Sequence, residues 1–331
     1  MMEKRMLAGR PVHPVGLGCM NLSWAYGDPP PHGEKIALLE RALELGYDHF
    51  DTANIYGLGR NEELLGDAIM HRRDDFLLAS KMAIVVNEGG ARGIDCSPGA
   101  IMRSIDESLI RLKAERVDLY YMHRFDPTVP VAEMAGAMAR LIEAGKIGAY
   151  GVSEWSAAHM REAHSVCPMS AVQTEYSLWT RQPEIAVLET TRELGIAFVA
   201  FSPVGRGALG GTLGATPQFE KGDIRAGMPR FGAEHWPANH ASIARFENLA
   251  ASAGVAPAQL ALAWLLAQGP HVHVIPGTTS VPHLEENFAT LSLDIAPSVL
   301  SEAGALIGRH TVSGPRYNPA MQASIDTEDF V

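Results

Sequence analysis

Four ionisable side chains stand at or just after the ends of short apolar runs that are typical of β-strands: Asp51, Tyr56, Lys81 and His123. The carboxyl ends of parallel strands meet on one side of a sheet, where pockets form. We therefore expect these four side chains to face one site. A carboxylate, a phenol, an ammonium and an imidazole in one pocket can hold and move a proton.

The phenol of Tyr56 is the group whose proton decides the chemistry. A free tyrosine titrates near ~10 and is a weak acid at neutral pH, but a neighbouring ammonium favours the phenolate and lowers that pKa. Lys81 can supply this charge, and Asp51 can hold the lysine and keep it protonated. His123 can donate a hydrogen bond to the oxygen of a bound carbonyl. Carbonyl reduction needs such an arrangement, a proton donor beside an oxygen that becomes an alkoxide.

Short sequence motifs surround these residues and extend over most of the chain, from about residue 12 to about residue 290. They are Gly16-Leu17-Gly18-Cys19-Met20, Asp51-Thr52-Ala53 with Tyr56-Gly57, Asp118-Leu119-Tyr120 with His123-Arg124, Gly151-Val152-Ser153, and Ile275-Pro276-Gly277-Thr278. In these motifs and in the order of the four ionisable residues, the chain resembles the aldo-keto reductases, NAD(P)H-dependent reductases of aldehydes and ketones. The resemblance implies that Tyr56 is the general acid or base and that His123 orients the carbonyl. Asp51 and Lys81 would then lower the pKa of the phenol.

Composition limits the class of protein without choosing a fold. The 331 residues, 47% hydrophobic, can bury the core of one α/β barrel or of two smaller domains. The net charge of −11 argues against nucleic-acid or anionic-membrane partners. The three cysteines lack the spacing of a zinc site or a disulfide framework, and no segment reads as a signal peptide or a membrane span. We expect a metal-free cytoplasmic protein whose oligomeric state the sequence leaves open.

Strand-like and helix-like patterns alternate along the chain. A short hairpin is predicted over Met6 to Val12, and about eight β-rich runs follow, each with a helical pattern after it. Helical spacing is found in Glu34–Leu45, in Glu62–Met70 after the cap residue Asn61, and in Pro98–Leu112, Val131–Glu143, Ala157–His164, Glu184–Leu194 and Pro257–Ala267. A doubly wound sheet would carry Gly-x-Gly-x-x-Gly after an early strand, and Gly16 to Asn21 lacks the third glycine. The sequence therefore predicts one (β/α)8 TIM barrel domain over residues 1–331.

Two segments interrupt this alternation. Gly205 to Asn239 is rich in glycine and proline, follows the seventh strand, and is predicted to be a mobile loop that closes over the site. The C-terminal extension from Pro297 begins with a helix to about Arg309. Its remainder could pack across the bottom of the barrel or fold toward the mouth, and the sequence does not choose.

The family resemblance implies a dinucleotide at the carboxyl ends of the strands, because none of the four side chains can deliver a hydride. Serine, glutamate and glutamine at strand ends would bind a carboxamide, an aromatic ring would stack on the nicotinamide, and a glycine-rich turn and a helix N-terminus would bind phosphates. The residues implied are Met20, Asp51, Ser153, Glu154, Gln173, Phe201, Ser202, Pro203, Gly205, Arg206, Gly277, Thr278, Thr279, His283, Glu286 and Asn287. Many relatives carry cations where this chain has Gly277, Thr279, Ser280 and His283, and their absence weakens the case for NADPH against NADH. NADPH is still favoured, because hydroxyls and helix-end amides can bind a phosphate, and NADH stays possible.

The substrate is predicted only as a small-molecule aldehyde or ketone. Trp24, Tyr26, Arg124 and Trp179 are the candidates for its pocket. Two other functions remain open. In one, Lys81 is the Schiff-base lysine of a barrel aldolase. In the other, the protein is a regulatory subunit that binds the cofactor with little turnover.

Overall fold

Strands and helices alternate in the computed structural model, which describes residues 2–87 and 89–330. The strands are β1 (Arg5–Leu7), β2 (Arg10–Val12), β3 (Leu17–Gly18), β4 (His49–Asp51), β5 (Leu77–Met82), β6 (Ile84–Val86), β7 (Arg92–Ile94), β8 (Val117–Met122), β9 (Ile147–Ser153), β10 (Ala171–Glu175), β11 (Ala197–Phe201) and β12 (Val272–Val274). The helices are α1 (His32–Leu45), α2 (Arg60–Ala68), α3 (Pro98–Leu112), α4 (Val131–Glu143), α5 (Ala157–Val166), α6 (Val187–Leu194), α7 (Trp236–Ser252), α8 (Pro257–Leu266), α9 (Val281–Ala289), α10 (Pro297–Leu306) and α11 (Pro319–Gln322).

Eight strands form one parallel sheet in the order β3-β4-β5-β8-β9-β10-β11-β12. The sheet closes on itself because Val15 pairs in parallel with Val274. The Gly16 amide donates to the Val274 carbonyl at 2.9 Å, and the Val274 amide donates to the Pro14 carbonyl at 2.8 Å. The predicted (β/α)8 barrel is thus confirmed.

The bottom of the barrel is covered by the hairpin of β1 and β2. Leu7 and Val12 from this hairpin pack with Leu77, Leu119 and Val199, which point into the barrel. The outward faces of the strands and the inward faces of the helices form the larger part of the core. Because the hairpin fills one end, the carboxyl ends of the strands form the open end.

Asn61 is not the cap of α2, which corrects the sequence prediction. The helix begins at Arg60 with Gly59 as its N-cap. The buried Asn61 amide donates to the Cys19 carbonyl at 2.9 Å, and its oxygen accepts from the Thr52 hydroxyl at 2.6 Å. Asn61 therefore ties together the segments that follow β3 and β4.

The predicted loop of residues 205–239 ends inside a helix. Pro237 lies in the first turn of α7, where proline costs no intrahelical hydrogen bond. Short 3-10 turns cover Gly205–Gly207, Ile224–Gly227 and Pro229–Phe231. The hairpin of β6 and β7, after the third barrel strand, was also absent from the sequence prediction.

The C-terminal extension crosses the mouth of the barrel. After α10 it turns so that the amides of Asp326 and Thr327 donate to the Glu154 carbonyl at 3.0 and 3.1 Å. This resolves the alternative that the sequence left open. Over the described ranges, no single helix has the length and hydropathy to cross a membrane, and only α7 and α8 taken together, with a bend of 88° between them, reach that length and composition.

Candidate active site

Among the four ionisable side chains predicted to share one site, Lys81 is fully buried at the end of β5. Its Nζ forms an ion pair with the Asp51 carboxylate. The same nitrogen lies 2.8 Å from the Thr52 carbonyl and 3.3 Å from the Tyr56 hydroxyl. The second Asp51 oxygen accepts from Gln173 Nε2 at 2.8 Å. Strands β4, β5 and β10 thereby fix the ammonium beside the phenol.

Tyr56 lies on the segment after β4, with its ring edge-on to His123 at a centroid distance of 5.8 Å. Burial raises the pKa of Tyr56, and the charge of Lys81 lowers it by less. The effect that the sequence predicted for Lys81 is therefore present, but the expected net lowering is wrong. The pKa of Lys81 is raised because Asp51 and Tyr56 together outweigh its burial. At neutral pH the site holds a protonated phenol beside an ammonium.

His123 is buried at the end of β8, and its imidazole is neutral at pH 7. Burial holds its pKa well below the usual value, and the charges of Arg124, Lys81 and Arg92 act in the same direction. Its Nδ1 has no hydrogen-bond partner among residues 2–87 and 89–330. A neutral imidazole carries one N–H donor, which can point at a carbonyl oxygen.

A cavity of about 930 Å³ opens at the carboxyl ends of the strands, and Asp51, Tyr56 and His123 line it. Lys81 lies directly behind them. The other predicted site residues on its wall are Met20, Trp24, Tyr26, Arg124, Gln173, Phe201, Ser202, Pro203, Arg206, Gly277, Thr278, Thr279, His283, Glu286 and Asn287. The structure thus brings most of the predicted set around one space.

The wall from β10 to α9 fits a dinucleotide. A Cβ on Gly277 would lie 2.9 Å from the Gly18 carbonyl and 3.0 Å from Asn21 Oδ1, so a side chain here would press on the segment at the end of β3. The Ser280 hydroxyl caps α9, whose first turn lies at the cavity beside Thr278 and Thr279. Ser153, which pairs with Gln173 across β9 and β10, is fully buried and is not on the cavity wall, and its hydroxyl has no partner in the described part of the chain. Such an orphaned hydroxyl beside Gln173 fits a carboxamide.

Glu154 lies outside the cavity wall, against the sequence prediction. Its carboxylate receives both terminal nitrogens of Arg316, the Thr327 hydroxyl at 3.0 Å and the Glu175 amide at 2.9 Å. These donors come mostly from the C-terminal segment. The carboxylate is saturated and has no capacity left for a cofactor amide.

Trp179 and Gly205 also lie outside the wall. Trp179 is buried among aromatic rings, with centroid distances of 6.2 Å to Phe231 and 6.5 Å to Trp236. The buried Gly205 packs against Trp179, where a Cβ would lie 3.1 Å from its Cβ. The assignments of Trp179 to substrate and of Gly205 to cofactor are therefore not supported by the geometry.

Arg206 reaches the cavity but is already engaged. Its guanidinium donates to the Glu175 carboxylate at 2.6 Å and to the Tyr317 hydroxyl at 2.7 Å. Burial lowers its pKa, but the charge of Glu175 and further partners raise it well above the usual value overall. A pyrophosphate that contacted Arg206, as the sequence predicted, would share its guanidinium with Glu175 and Tyr317.

Sequence reasoning missed the buried charge cluster behind this wall, formed by Glu154, Glu175, Arg206, Arg316 and Tyr317. Burial opposes ionisation of Glu175, yet Arg206 and Arg316 lower its pKa far below the usual range. The only sequence signal is a carboxylate two residues after Gln173 on β10. Its partner Arg316 lies 141 residues farther along the chain.

Comparison with known proteins agrees with this geometry. A sequence model of the Aldo/keto reductase family matches residues 14–306. The chain is 38% identical over 327 residues to the aldo-keto reductase yakc of Schizosaccharomyces pombe, named with NADP(+), covering 97% of this chain and 96% of the relative. It is 38% identical over 310 residues to a probable aldo-keto reductase of Glycine max, covering 93% and 89%. The glycerol dehydrogenase structure from Gluconobacter oxydans superposes with a TM-score of 0.85 at 25% identity, covering 96% and 98%.

Proposed function

Because the chain belongs to the aldo/keto reductase family, we propose that it reduces an aldehyde or ketone with a hydride from NADPH, and that Tyr56 protonates the product oxygen. The observation that carries this proposal is the 3.3 Å contact between Lys81 Nζ and the Tyr56 hydroxyl. Alcohol oxidation is the same step in reverse.

The phenol acts as an acid because it holds its proton in neutral solution. When Tyr56 gives that proton to the carbonyl oxygen, the phenolate that remains lies beside the ammonium of Lys81. Asp51 keeps the ammonium charged, because an opposite charge favours the protonated lysine. The neutral imidazole of His123 donates to the same carbonyl oxygen and orients it.

The bound cofactor would supply the hydride, and this chain would hold it along the wall from Gln173 to Asn287. Ser153 and Gln173 would bind the carboxamide, and Phe201 would pack on the nicotinamide ring. The small residues and hydroxyls of residues 277–280 at the start of α9 would receive the phosphate. NADP is favoured over NAD because the relative from Schizosaccharomyces pombe is named with NADP(+).

Three further assignments belong to this proposal. Residues 1–331 act as one catalytic domain, with 297–331 as an extension that walls the pocket. Residues 205–239 close over the cofactor, since Gly207, Thr212 and Arg225 line the cavity. The compartment is the cytoplasm, where the buried free thiols of Cys19, Cys96 and Cys167 stay reduced.

The aldolase alternative requires an accessible neutral amine at Lys81. The side chain is fully buried, its Nζ has three oxygen partners, and its pKa is raised. A Schiff base needs the opposite conditions. The regulatory-subunit alternative differs from the proposal in turnover and is decided by experiment.

Nicotinamide absorbance with a panel of aldehydes and ketones measures the proposed activity. Tyr56→Phe should lower the rate of reduction by about 10²- to 10⁴-fold while NADPH binding, followed by fluorescence, is unchanged. Tyr150→Phe is the matched control, because Tyr150 donates to the Cys167 carbonyl at 2.7 Å, at the end of α5 and outside the cavity wall. Tight NADPH binding without turnover of any carbonyl would support the regulatory alternative, and full activity in Tyr56→Phe would remove Tyr56 from its role.

A further inference from the structure

The charge of the substrate end of the cavity differs from that of the whole molecule. The chain carries a net charge of −11, yet Arg92 and Arg124 both line the cavity on the side of Trp24 and His123. Neither arginine forms an ion pair with a residue in the described ranges. Two guanidiniums at the reacting end of an acidic protein require an explanation.

Arg124 is held in place with most of its donors free. One terminal nitrogen donates to the His123 carbonyl at 2.7 Å, which fixes the side chain beside the imidazole. A guanidinium has five N–H donors in a planar fork that matches a carboxylate. Because Arg124 and His123 line the same cavity, an anion that Arg124 binds shares that space with the carbonyl oxygen.

Arg92, the first residue of β7, also lines this cavity. Its guanidinium lies over the Trp24 ring at 4.4 Å from the centroid, a cation–π contact that positions the charge without neutralising it. Both arginines lower the pKa of His123, and Arg124 also lowers that of Tyr56, so their charges act at the reacting groups.

The acid on this part of the wall does not cancel these charges. Asp126 accepts from the Cys96 amide at 2.9 Å and from the amide and hydroxyl of Thr128 at 2.9 and 2.6 Å. Its oxygens are occupied by local donors, and neither forms an ion pair with Arg124. His123 is neutral. The reacting end therefore keeps an excess of positive charge.

We propose that the substrate is an oxo acid, a small aldehyde or ketone whose carboxylate binds Arg124 in a bidentate pair, with Arg92 as the second cation of the site. This inference rests on the proposed function and names its substrate class. The paired arginines would also attract an anion to the mouth of an otherwise acidic protein. A neutral carbonyl of the same shape would lack this contact.

The test compares para-formylbenzoate with its methyl ester, which has the same ring, the same aldehyde and no charge. Wild-type kcat/KM should favour the acid by about tenfold at low salt, since one charge-assisted pair contributes that much, and the preference should shrink as salt is added. Arg124→Gln should bring the ratio of acid to ester close to one. Arg124→Lys should retain part of the preference, because it keeps the charge and loses the fork.

The ester separates this inference from the proposed function. If Arg124→Gln displaces His123, the rates for the acid and for the ester should both fall. If it removes only the anion site, the rate for the acid alone should fall. Arg103→Gln on the exposed face of α3 is the control for net charge and should leave the ratio at the wild-type value. Reduction of both compounds with a ratio near one in the wild type would overturn the inference and leave the reductase proposal standing.

Binding gives a second readout that does not need turnover. Calorimetry of benzoate with the NADPH-loaded wild type, Arg124→Gln and Arg103→Gln should show a Kd about tenfold weaker in Arg124→Gln alone. An equal Kd in all three proteins would overturn the inference, even if no carbonyl were reduced.

Discussion

The pKa of Tyr56 is the property of a single residue on which both directions of the reaction depend. Burial raises it and Lys81 offsets part of that rise. The protonated phenol serves reduction and the phenolate serves oxidation. Reduction should therefore be constant through the neutral range and fall on the alkaline side, where oxidation rises. Single-turnover rates in both directions measure this, and a reduction rate that titrates only in the acidic range would contradict it.

The ion pair behind the phenol can be replaced without leaving a buried charge. In Asp51→Asn/Lys81→Met the amide oxygen still accepts from Gln173, and no lone ion remains in the barrel. We expect single-turnover reduction at neutral pH to fall by about 10²-fold or more, because the phenolate loses its cation. The alkaline fall should move to higher pH, since Lys81 lowers the pKa of Tyr56.

Asp51→Asn alone is the control for this pair. Asp51→Asn removes the charge that keeps the buried Lys81 protonated, so the lysine should become neutral and the alkaline fall should again move to higher pH. An alkaline fall at the wild-type pH in both variants would show that Tyr56 is not the titrating acid.

The residues predicted correctly to lie together share one local property. Asp51, Lys81 and His123 each end a strand, and the barrel brings all strand ends to one rim whatever their sequence separation. Glu154 also ends a strand, but its carboxylate binds Arg316, 162 residues away. Trp179 is removed from the pocket by Phe231 and Trp236 in the same way. The end of a strand can be predicted from the local sequence. A side chain's contact with a residue from a distant part of the chain cannot.

At the level of elements, the position of the C-terminal segment depends on its buried contacts with Glu154. Glu154 is held at φ 57°, a region that a glutamate rarely adopts, by the amides of Asp326 and Thr327 on its carbonyl and by Arg316 on its carboxylate. The segment contributes Tyr317, Met321 and nearby residues to the cavity wall. Order in the C-terminal segment and the shape of the pocket are therefore coupled through one ion pair.

Arg316→Met should release this segment. It leaves the carboxylates of Glu154 and Glu175 buried with fewer partners, which should cost about 3–5 kcal/mol of unfolding free energy. KM for the carbonyl should rise, and limited proteolysis should cut the segment after α10. Arg309→Met, at an exposed arginine over the Phe330 ring, is the control. The double variant Glu154→Gln/Arg316→Met should recover part of the stability, and equal protease resistance in all variants would contradict the coupling.

The start of helix α7 was missed by the sequence analysis because its first residues are typical of loops. In α7 the buried positions Trp236, Asn239, Ile243, Phe246 and Ala250 follow helical spacing. The pattern begins with a proline and a buried asparagine, which read as a continuation of the preceding loop. The Asn239 side chain is satisfied by the Arg230 and Ser313 carbonyls, contacts that the local sequence does not reveal.

At the scale of the whole molecule, two histidines inside the barrel link its stability to pH. His49 and His273 point away from the outer core and are fully buried. Burial lowers the pKa of both, that of His273 to about 3, and the neighbouring His49 adds to the effect on His273. Between pH 3 and an unfolded value of about 6.5, the unfolded chain binds the proton that folded His273 does not. Stability is therefore complete above pH 6.5 and is lost as pH falls through this window.

Unfolding free energies from urea titrations at pH 7 and pH 5 test this linkage. A single histidine with these pKa values should make the protein about 2 kcal/mol less stable at pH 5 than at pH 7. His273→Gln cannot take up the proton in either state, and its amide can replace the contact that His273 Nε2 makes with the Met6 carbonyl at 3.3 Å. The loss between the two pH values should shrink by that amount in His273→Gln and stay at the wild-type value in His71→Gln, which changes an exposed histidine. An acid loss of equal size in both variants would show that His273 does not cause the loss of stability between pH 7 and pH 5.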